Sequence, residues 1–359
     1  MRRQLCALMS LVVARHSFAQ WNLYSPEPPT PYDIHEFDGV GSAGSRVVGS
    51  GDGQGYWYER SVGYTFLDRH GLNLSIGVSA MSANGGFAIG YASDGLMPRP
   101  ARWKGQQIEL LETTSVAPSG YAMTVSPNGK HVGGYVGIEG VDFTTRPAIW
   151  NENGALLQLP LPEGEFGGAQ VSGINADGTK AVIQAFDGFA CLWAAGQGYR
   201  RLSGFMGGSV RMTSDGTRMI GIGGPGQYDT HLVAWDELGN MQFIGSPSGS
   251  SNTQLSSIST DGRFAAGSYR TSSGSRSFIW SEESGFLDVM DMLAEGGAVL
   301  DGMYLNSARG ISDDGRTIVG WGIRNRQYRP WIAVNTVPEP AGLLLVGLGL
   351  VPLLRHRKG

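Results

Sequence analysis

One short pattern recurs seven times and fixes what kind of structure this chain can build. It has a hydroxyl or small polar residue, any residue, Asn or Asp, then Gly; five positions after that Gly comes a second small residue, usually another Gly. Clear copies are Ser82-Ala83-Asn84-Gly85 with Gly90, Ser126-Pro127-Asn128-Gly129 with Gly134, and Asn175-Ala176-Asp177-Gly178. They continue as Thr213-Ser214-Asp215-Gly216 with Gly221, Ser259-Thr260-Asp261-Gly262 with Gly267, and Ser312-Asp313-Asp314-Gly315 with Gly320. Gly41-Ser42-Ala43-Gly44 with Gly49 is a degenerate first copy. Asn-Gly and Asp-Gly make tight hairpins, because both residues tolerate positive φ and the Asx side chain bonds its own backbone. A hairpin repeated across the whole middle of a chain implies a repeat architecture.

A tryptophan follows each turn after the first: Trp103, Trp150, Trp193, Trp235, Trp280 and Trp331, spaced 42 to 51 residues apart. Each unit reads as a short alternating strand, the tight turn, a second strand, a polar variable loop, a third strand with the tryptophan, and an outer strand. A period of about 45 residues with four strands is that of a propeller blade. The expectation is an all-β, seven-bladed β-propeller over residues 31–336. Only Leu287 to Glu295, ending at Gly296-Gly297, reads as a helix within it. After Trp331 too few residues remain for an outer strand, and an open edge would leave backbone groups unpaired. The segment Tyr32 to Phe37 is expected to close the ring beside the Trp331 strand.

Composition agrees with many turns and few helix faces. There are 56 glycines, about twice the usual share, and only 16% charged residues. At 41% apolar residues with nine Trp, the chain can build a core. Of its two cysteines, Cys6 lies in an N-terminal apolar run and Cys191 in the run Phe189 to Trp193, so no internal disulfide is expected and Cys191 reads as a buried, inert thiol.

Both ends carry export signals. Met1-Arg2-Arg3, the apolar run Leu5 to Ala14 and Ser17-Phe18-Ala19 describe a signal peptide over residues 1–19, forming a signal helix and cut between Ala19 and Gln20. Residues 20–30 read as a linker. At the other end Val337-Pro338-Glu339-Pro340 precedes fourteen uncharged residues, 341–354, and then Arg355, His356, Arg357 and Lys358. As a helix that run spans about 21 Å, a short membrane crossing whose basic end would stay in the cytoplasm. This tail, residues 337–359, resembles the PEP-CTERM sorting signal of Gram-negative bacteria. The resemblance implies recognition by an exosortase, transient anchoring in the inner membrane through residues 341–354, and release to the cell surface or extracellular matrix. The sorting residues it assigns are Val337, Pro338, Glu339, Pro340, Arg355, Arg357 and Lys358. The middle of the chain resembles the HAF-type extracellular repeats that often precede such a tail, although Arg-Pro-Ala and Arg-Ser-Phe stand where that family has His-Ala-Phe.

Without Arg2, Arg3, Arg15, Glu339, Arg355, Arg357 and Lys358, 21 basic and 30 acidic residues remain. Such a body repels nucleic acid and anionic lipid rather than gathering them. No nucleophile elbow, zinc helix or phosphate-cradling loop is present, and the body histidines His35, His70, His131 and His231 have no second ligand at metal spacing. An Asn or Asp repeated at one place in nearly every unit is a turn residue before it is a ligand, and the tryptophans read as packing between blades. No metal, cofactor or catalytic role is therefore expected. The loops between second and third strands, rich in Tyr, Ser, Gly, Arg and Asp, are the candidate ligand face, marked by Tyr91, Tyr135, Tyr269 and Trp321. The functional expectation is an exported binding or structural module for extracellular polysaccharide or a surface protein; the alternative is a secreted propeller hydrolase or lyase acting on polysaccharide.

Overall fold

The structure is a computed structural model that describes residues 20–27, 36–69, 75–95, 97–137, 145–164, 167–226 and 230–336. It is an all-β propeller of seven antiparallel four-stranded sheets. Six blades are built from consecutive strands: from Glu36 to Phe66, Ser75 to Leu110, Ser119 to Gln158, Ala169 to Arg201, Phe205 to Gly245, and Asn252 to Asp288. The seventh combines Tyr304–Ile311, Thr317–Arg324 and Gln327–Thr336 with the N-terminal strand Gln20–Tyr24. The ring is thus closed by the N-terminus, but not by the segment expected. Gln20–Tyr24, inside the stretch read as a linker, pairs antiparallel to the last strand from Gln20↔Thr336 to Tyr24↔Ile332. Glu36–Val40, by contrast, is the inner strand of the first blade and pairs with Arg46–Gly51. The propeller begins at Gln20, and its outermost strand caps the edge that Gln327–Thr336 would otherwise expose.

The repeated turn works through a small cage of hydrogen bonds. In the fifth blade the Thr213 hydroxyl donates to Asp215 Oδ1 at 2.7 Å and accepts from the Arg218 amide at 3.1 Å, while Asp215 Oδ1 also accepts from the Thr217 amide. Ser82/Asn84, Ser126/Asn128, Ser259/Asp261 and Ser312/Asp314 repeat the same pattern. The hydroxyl is buried and the carboxylate or amide carries the turn amides, so the residue types are set by backbone donors that need acceptors. The seven turns also link to each other. Ser42 N donates to Ala83 O, Asn84 N to Pro127 O, Asn128 Nδ2 to Ala176 O, Ala176 N to Ser214 O, Ser214 N to Thr260 O, Thr260 N to Asp313 Oδ1, and Asp313 N to Ser42 O, all at 2.7–3.2 Å. The belt closes on itself.

Between blades the core is aromatic and aliphatic. Trp103, Trp150, Trp235 and Trp331 are fully buried, and the indole N–H groups of Trp103, Trp150 and Trp235 donate to the Asp68, Glu112 and Ser203 carbonyls on the preceding connections. The first blade has its own tryptophan: Trp57, on its third strand, donates to Gly105 O at 2.6 Å. Trp331 sits two residues out of step, opposite Gly320, while Ala333 holds the position opposite Ile318 that Trp103, Trp150, Trp193, Trp235 and Trp280 occupy in their blades.

The second glycine of the repeat answers a bulge. Asp38, Ser79, Met123, Ser172, Ser256 and Arg309 are extra residues in the inner strands of six blades, where the register slips by one. A bulge bends its strand and breaks the even spacing of the ladder. Here it presses the preceding carbonyl into the next strand. A Cβ at Gly49, Gly90, Gly134, Gly267 or Gly320 would lie only 1.9–2.2 Å from the carbonyl oxygen of Glu36, Gly77, Tyr121, Gln254 or Ser307. Backbone cannot step aside as a side chain can, so glycine is required; the fourth blade alone carries Ile183 there.

The helix is Val289–Glu295, two residues shorter at its start than expected because Leu287 and Asp288 still belong to an outer strand. Asp288 caps it by accepting from the Asp291 amide, and Val289 and Leu293 are buried against the seventh blade.

Candidate ligand site in the axial channel

The seven inner strands surround an axial channel. On the turn side, the apolar residue just before each turn, from Val40 in the first blade to Ile311 in the last, lines a cavity of about 140 Å3. On the loop side lies a polar chamber of about 360 Å3 walled by Ser79, Ser209, Asn252, Gln254 and Ser256. Asp38, Ser79, Arg211, Ser256 and Arg309 border both cavities and so form the waist between them.

Four of these waist residues, Asp38, Ser79, Ser256 and Arg309, are the extra residues of their bulges, which aim side chains at the axis. Ser50 Oγ donates to Asp38 Oδ2 at 2.9 Å. Enclosure in the channel and the charge of Glu36 push the Asp38 carboxyl up to about 7, with Ser50 and Arg309 opposing. Arg309 Nη2 reaches Glu36 Oε2 at 3.3 Å, and its Nε is buried without a partner. Arg211 lies in the fifth blade, where the register skips from Met206 to Val210. Its Nε donates to Ser256 O at 3.1 Å and its Nη1 to Ser172 O at 3.0 Å, so it bridges the inner strands on either side. Burial and the charge of Arg309 both pull its pKa down from the ordinary arginine value.

The sequence-chosen tyrosines fall on second strands rather than in the loops that follow them. Tyr91 and Tyr135 are brought together by a residue the sequence reading missed: the Tyr121 ring centre is 4.8 Å from that of Tyr91 and 5.4 Å from that of Tyr135. Gly77 makes room, since a Cβ there would lie 2.2 Å from the Tyr91 ring. Burial, then the neighbouring phenol, pushes Tyr135 up to about 12. Tyr121 stands five residues before its turn, as Gln254 does in the sixth blade, so register places the cluster at the height of the polar chamber. Tyr269 is buried and spends its hydroxyl on Asp288 at 2.8 Å, beside Arg276. Trp321 stacks near Tyr328 at 5.3 Å, with its indole N–H buried and unpartnered. Neither joins the cluster.

Gln20 is described, as the first residue of the closing strand. Ala19, Val337, Pro338, Glu339, Pro340, Arg355, Arg357, Lys358 and the span 341–354 lie outside the described residues. Among the described residues no helix is long and apolar enough to cross a membrane.

No family model matches the chain, and no curated protein sequence matches it. Among solved structures, an oligogalacturonate lyase in complex with manganese is similar at a TM-score of 0.59 and 12% identity, over 90% of this chain and 99% of that one. TolB from Acinetobacter baumannii is similar at a TM-score of 0.47 and 13% identity, over 70% of this chain and 62% of that one. At such identities the likeness is one of fold. Among the described residues no three His, Cys, Asp or Glu side chains gather to hold a metal ion. The waist does not suit a divalent cation either, because two guanidinium groups face the same space as its carboxylates.

Proposed function

We propose that the chain is an exported surface or matrix module that binds an extracellular polysaccharide at the loop-side mouth of its channel. The observation that carries this reading is the Tyr91–Tyr121–Tyr135 cluster at the level of a chamber walled by hydroxyl and amide groups. Tyrosine rings offer an apolar face to a sugar ring while keeping a polar tip, and convergent polar groups fix its orientation. The acidic body, 30 acidic residues against 21 basic, turns nucleic acid away.

Delivery would run through the signal peptide 1–19 and the PEP-CTERM tail 337–359, with an exosortase as processing partner. The register supports this economy: Gln20 faces Thr336, so cuts at both junctions would spare the whole ring. Alanines in place of Pro338-Glu339-Pro340 should leave full-length protein in the host's membrane fraction; normal processing would contradict the sorting role.

A second reading, an enzyme acting on polysaccharide, is favoured by Asp38, a channel carboxylate held where it can take up a proton near neutral pH. One experiment separates the two. Residues 20–336 are applied to an array of neutral and acidic polysaccharides, with the eluates checked for chain shortening. Retention without shortening, weakened about tenfold by Tyr121→Ala, supports the binding module. Shortening supports the enzyme, and no retention of any polymer overturns the binding reading.

A further inference from the structure

We propose that the waist of the channel is a second site, one that takes the carboxylate of a small hydroxylated acid between Arg211 and Arg309. This site shares the polar chamber with the polymer reading but uses none of the tyrosines above, and its test needs no polymer binding at the mouth.

Charge comes first. Among the described residues Arg211 has no carboxylate partner; its two hydrogen bonds go to the backbone carbonyls of Ser172 and Ser256. Those bonds fix the guanidinium without neutralising it, and donors remain for a ligand. Arg309 holds Glu36 at a long 3.3 Å and keeps an unpartnered Nε. Two cations therefore face Glu36 and an Asp38 whose enclosure opposes ionisation. An anion between the arginines would complete this balance with charge-assisted, paired hydrogen bonds.

Shape and lining come next. The 360 Å3 chamber opening onto the waist falls at the small end of ligand pockets, enough for one sugar-sized molecule. Its Ser79, Asn252, Gln254 and Ser256 side chains make no hydrogen bond among the described residues, so their donors and acceptors are open to a ligand's hydroxyl groups. Arg211 is held by the strands on both sides of its own, and Arg309 stands on a bulge, so little ordering is left for binding to do.

The charge balance also sets a pH dependence. Asp38 is faced by Glu36 on its own strand, by Ser50 and Tyr56 from the same blade, by Arg309 from the seventh blade, and by Arg211 across the channel. As Asp38 ionises it competes for Arg309, so affinity for the acid should fall as pH rises past neutrality.

The test is calorimetric titration of residues 20–336 with glucuronate, with glucose and inorganic phosphate as controls. One glucuronate should bind, glucose should not, and Arg309→Gln should weaken binding by about ten- to a hundredfold. Arg309 is partly exposed and its bond between blades is the single long contact with Glu36 at 3.3 Å, so that variant should stay close to the wild-type unfolding midpoint, which is measured alongside. Affinity several-fold lower at pH 8 than at pH 6 would agree; Asp38→Asn should remove that difference. An oligoglucuronate that binds more tightly than the monomer, with the same sensitivity to Arg309→Gln, would identify a polymer end as the source. Equal affinity would identify the free acid. The proposal fails if glucuronate binds no better than glucose, if phosphate matches it, or if Arg309→Gln leaves its affinity unchanged.

Discussion

Trp21→Ala should destabilise the propeller by roughly 3–5 kcal/mol, the range for truncating a buried aromatic. Trp21 is the one fully packed side chain of the closing strand Gln20–Tyr24, paired with Asn335 and only 8% exposed. Its amide donates to Gly296 O at 3.2 Å, and its ring lies where a side chain on Gly296 would be, 2.5 Å from the position of a Cβ. Val289, Leu293, Met303, Leu305 and Trp331 complete the same cluster. The substitution therefore opens a cavity where the N-terminus, the helix and the last blade meet. Loss of the whole strand 20–24 should do more, leaving the edge of Gln327–Thr336 unpaired and an unfolding transition of lower cooperativity. Leu238→Ala is the control: its side chain is 68% exposed on a hairpin tip and should change stability by less than about 0.5 kcal/mol. Urea unfolding of the three proteins checks this. Similar midpoints for Trp21→Ala and Leu238→Ala would mean that the ring holds without its N-terminal clasp.

Why the closing strand escaped the sequence reading is instructive. The turns could be read because their chemistry is local: Ser259, Asp261 and Phe264 satisfy one another within six residues, and that pattern is visible wherever it recurs. The partners Gln20 and Thr336 are separated by nearly the whole chain, and nothing local marks them. Of the segment expected to close the ring, Glu36 and Phe37 belong to the first blade's inner strand, and residues 32–35 lie outside the described residues. Trp57 is harder to place because the first turn, Gly41-Ser42-Ala43-Gly44, lacks the Asn or Asp that marks the other units.

The axial site was harder still, since it is built from departures from the repeat. The residue three before each turn is Ser79, Ser172 and Ser256 in three blades, but Asp38 in the first and Arg309 in the seventh. A charged residue at a position held by serine, Met123 or Val210 in the other blades was the available signal. It gains meaning only once bulges turn that position toward a shared axis. The tyrosine cluster was half visible, because Tyr91 and Tyr135 follow the second small residue of their units, whereas Tyr121 lies on the inner strand before its turn.

Asp38 should also leave a mark on stability. Its folded pKa, about 7, stands above the ordinary value of 3.8. For an acid shifted upward, the folded state favours the protonated form. Its contribution is therefore complete below pH ~4 and is lost as pH rises through about 7. At about 1.4 kcal/mol per pKa unit the full span is about 4 kcal/mol, and contact with channel water makes the realised span smaller. The turn acids act in another window. Hydrogen bonds from Thr179 to Asp177, and from Thr213 and the Thr217 amide to Asp215, hold those carboxyls below the usual value. Their contribution is present above pH ~4 and is lost only as pH falls further. Asp38→Asn keeps a neutral acceptor for Ser50 and removes the titration. The variant should match the wild type near pH 4 and exceed it at pH 8, with the difference between the two unfolding free energies growing from pH ~4 to about 7 and levelling off above that. Parallel profiles from pH 4 to 8 would show that Asp38 is ionised in the folded channel throughout, and that the waist carries no net positive charge to offer an anion.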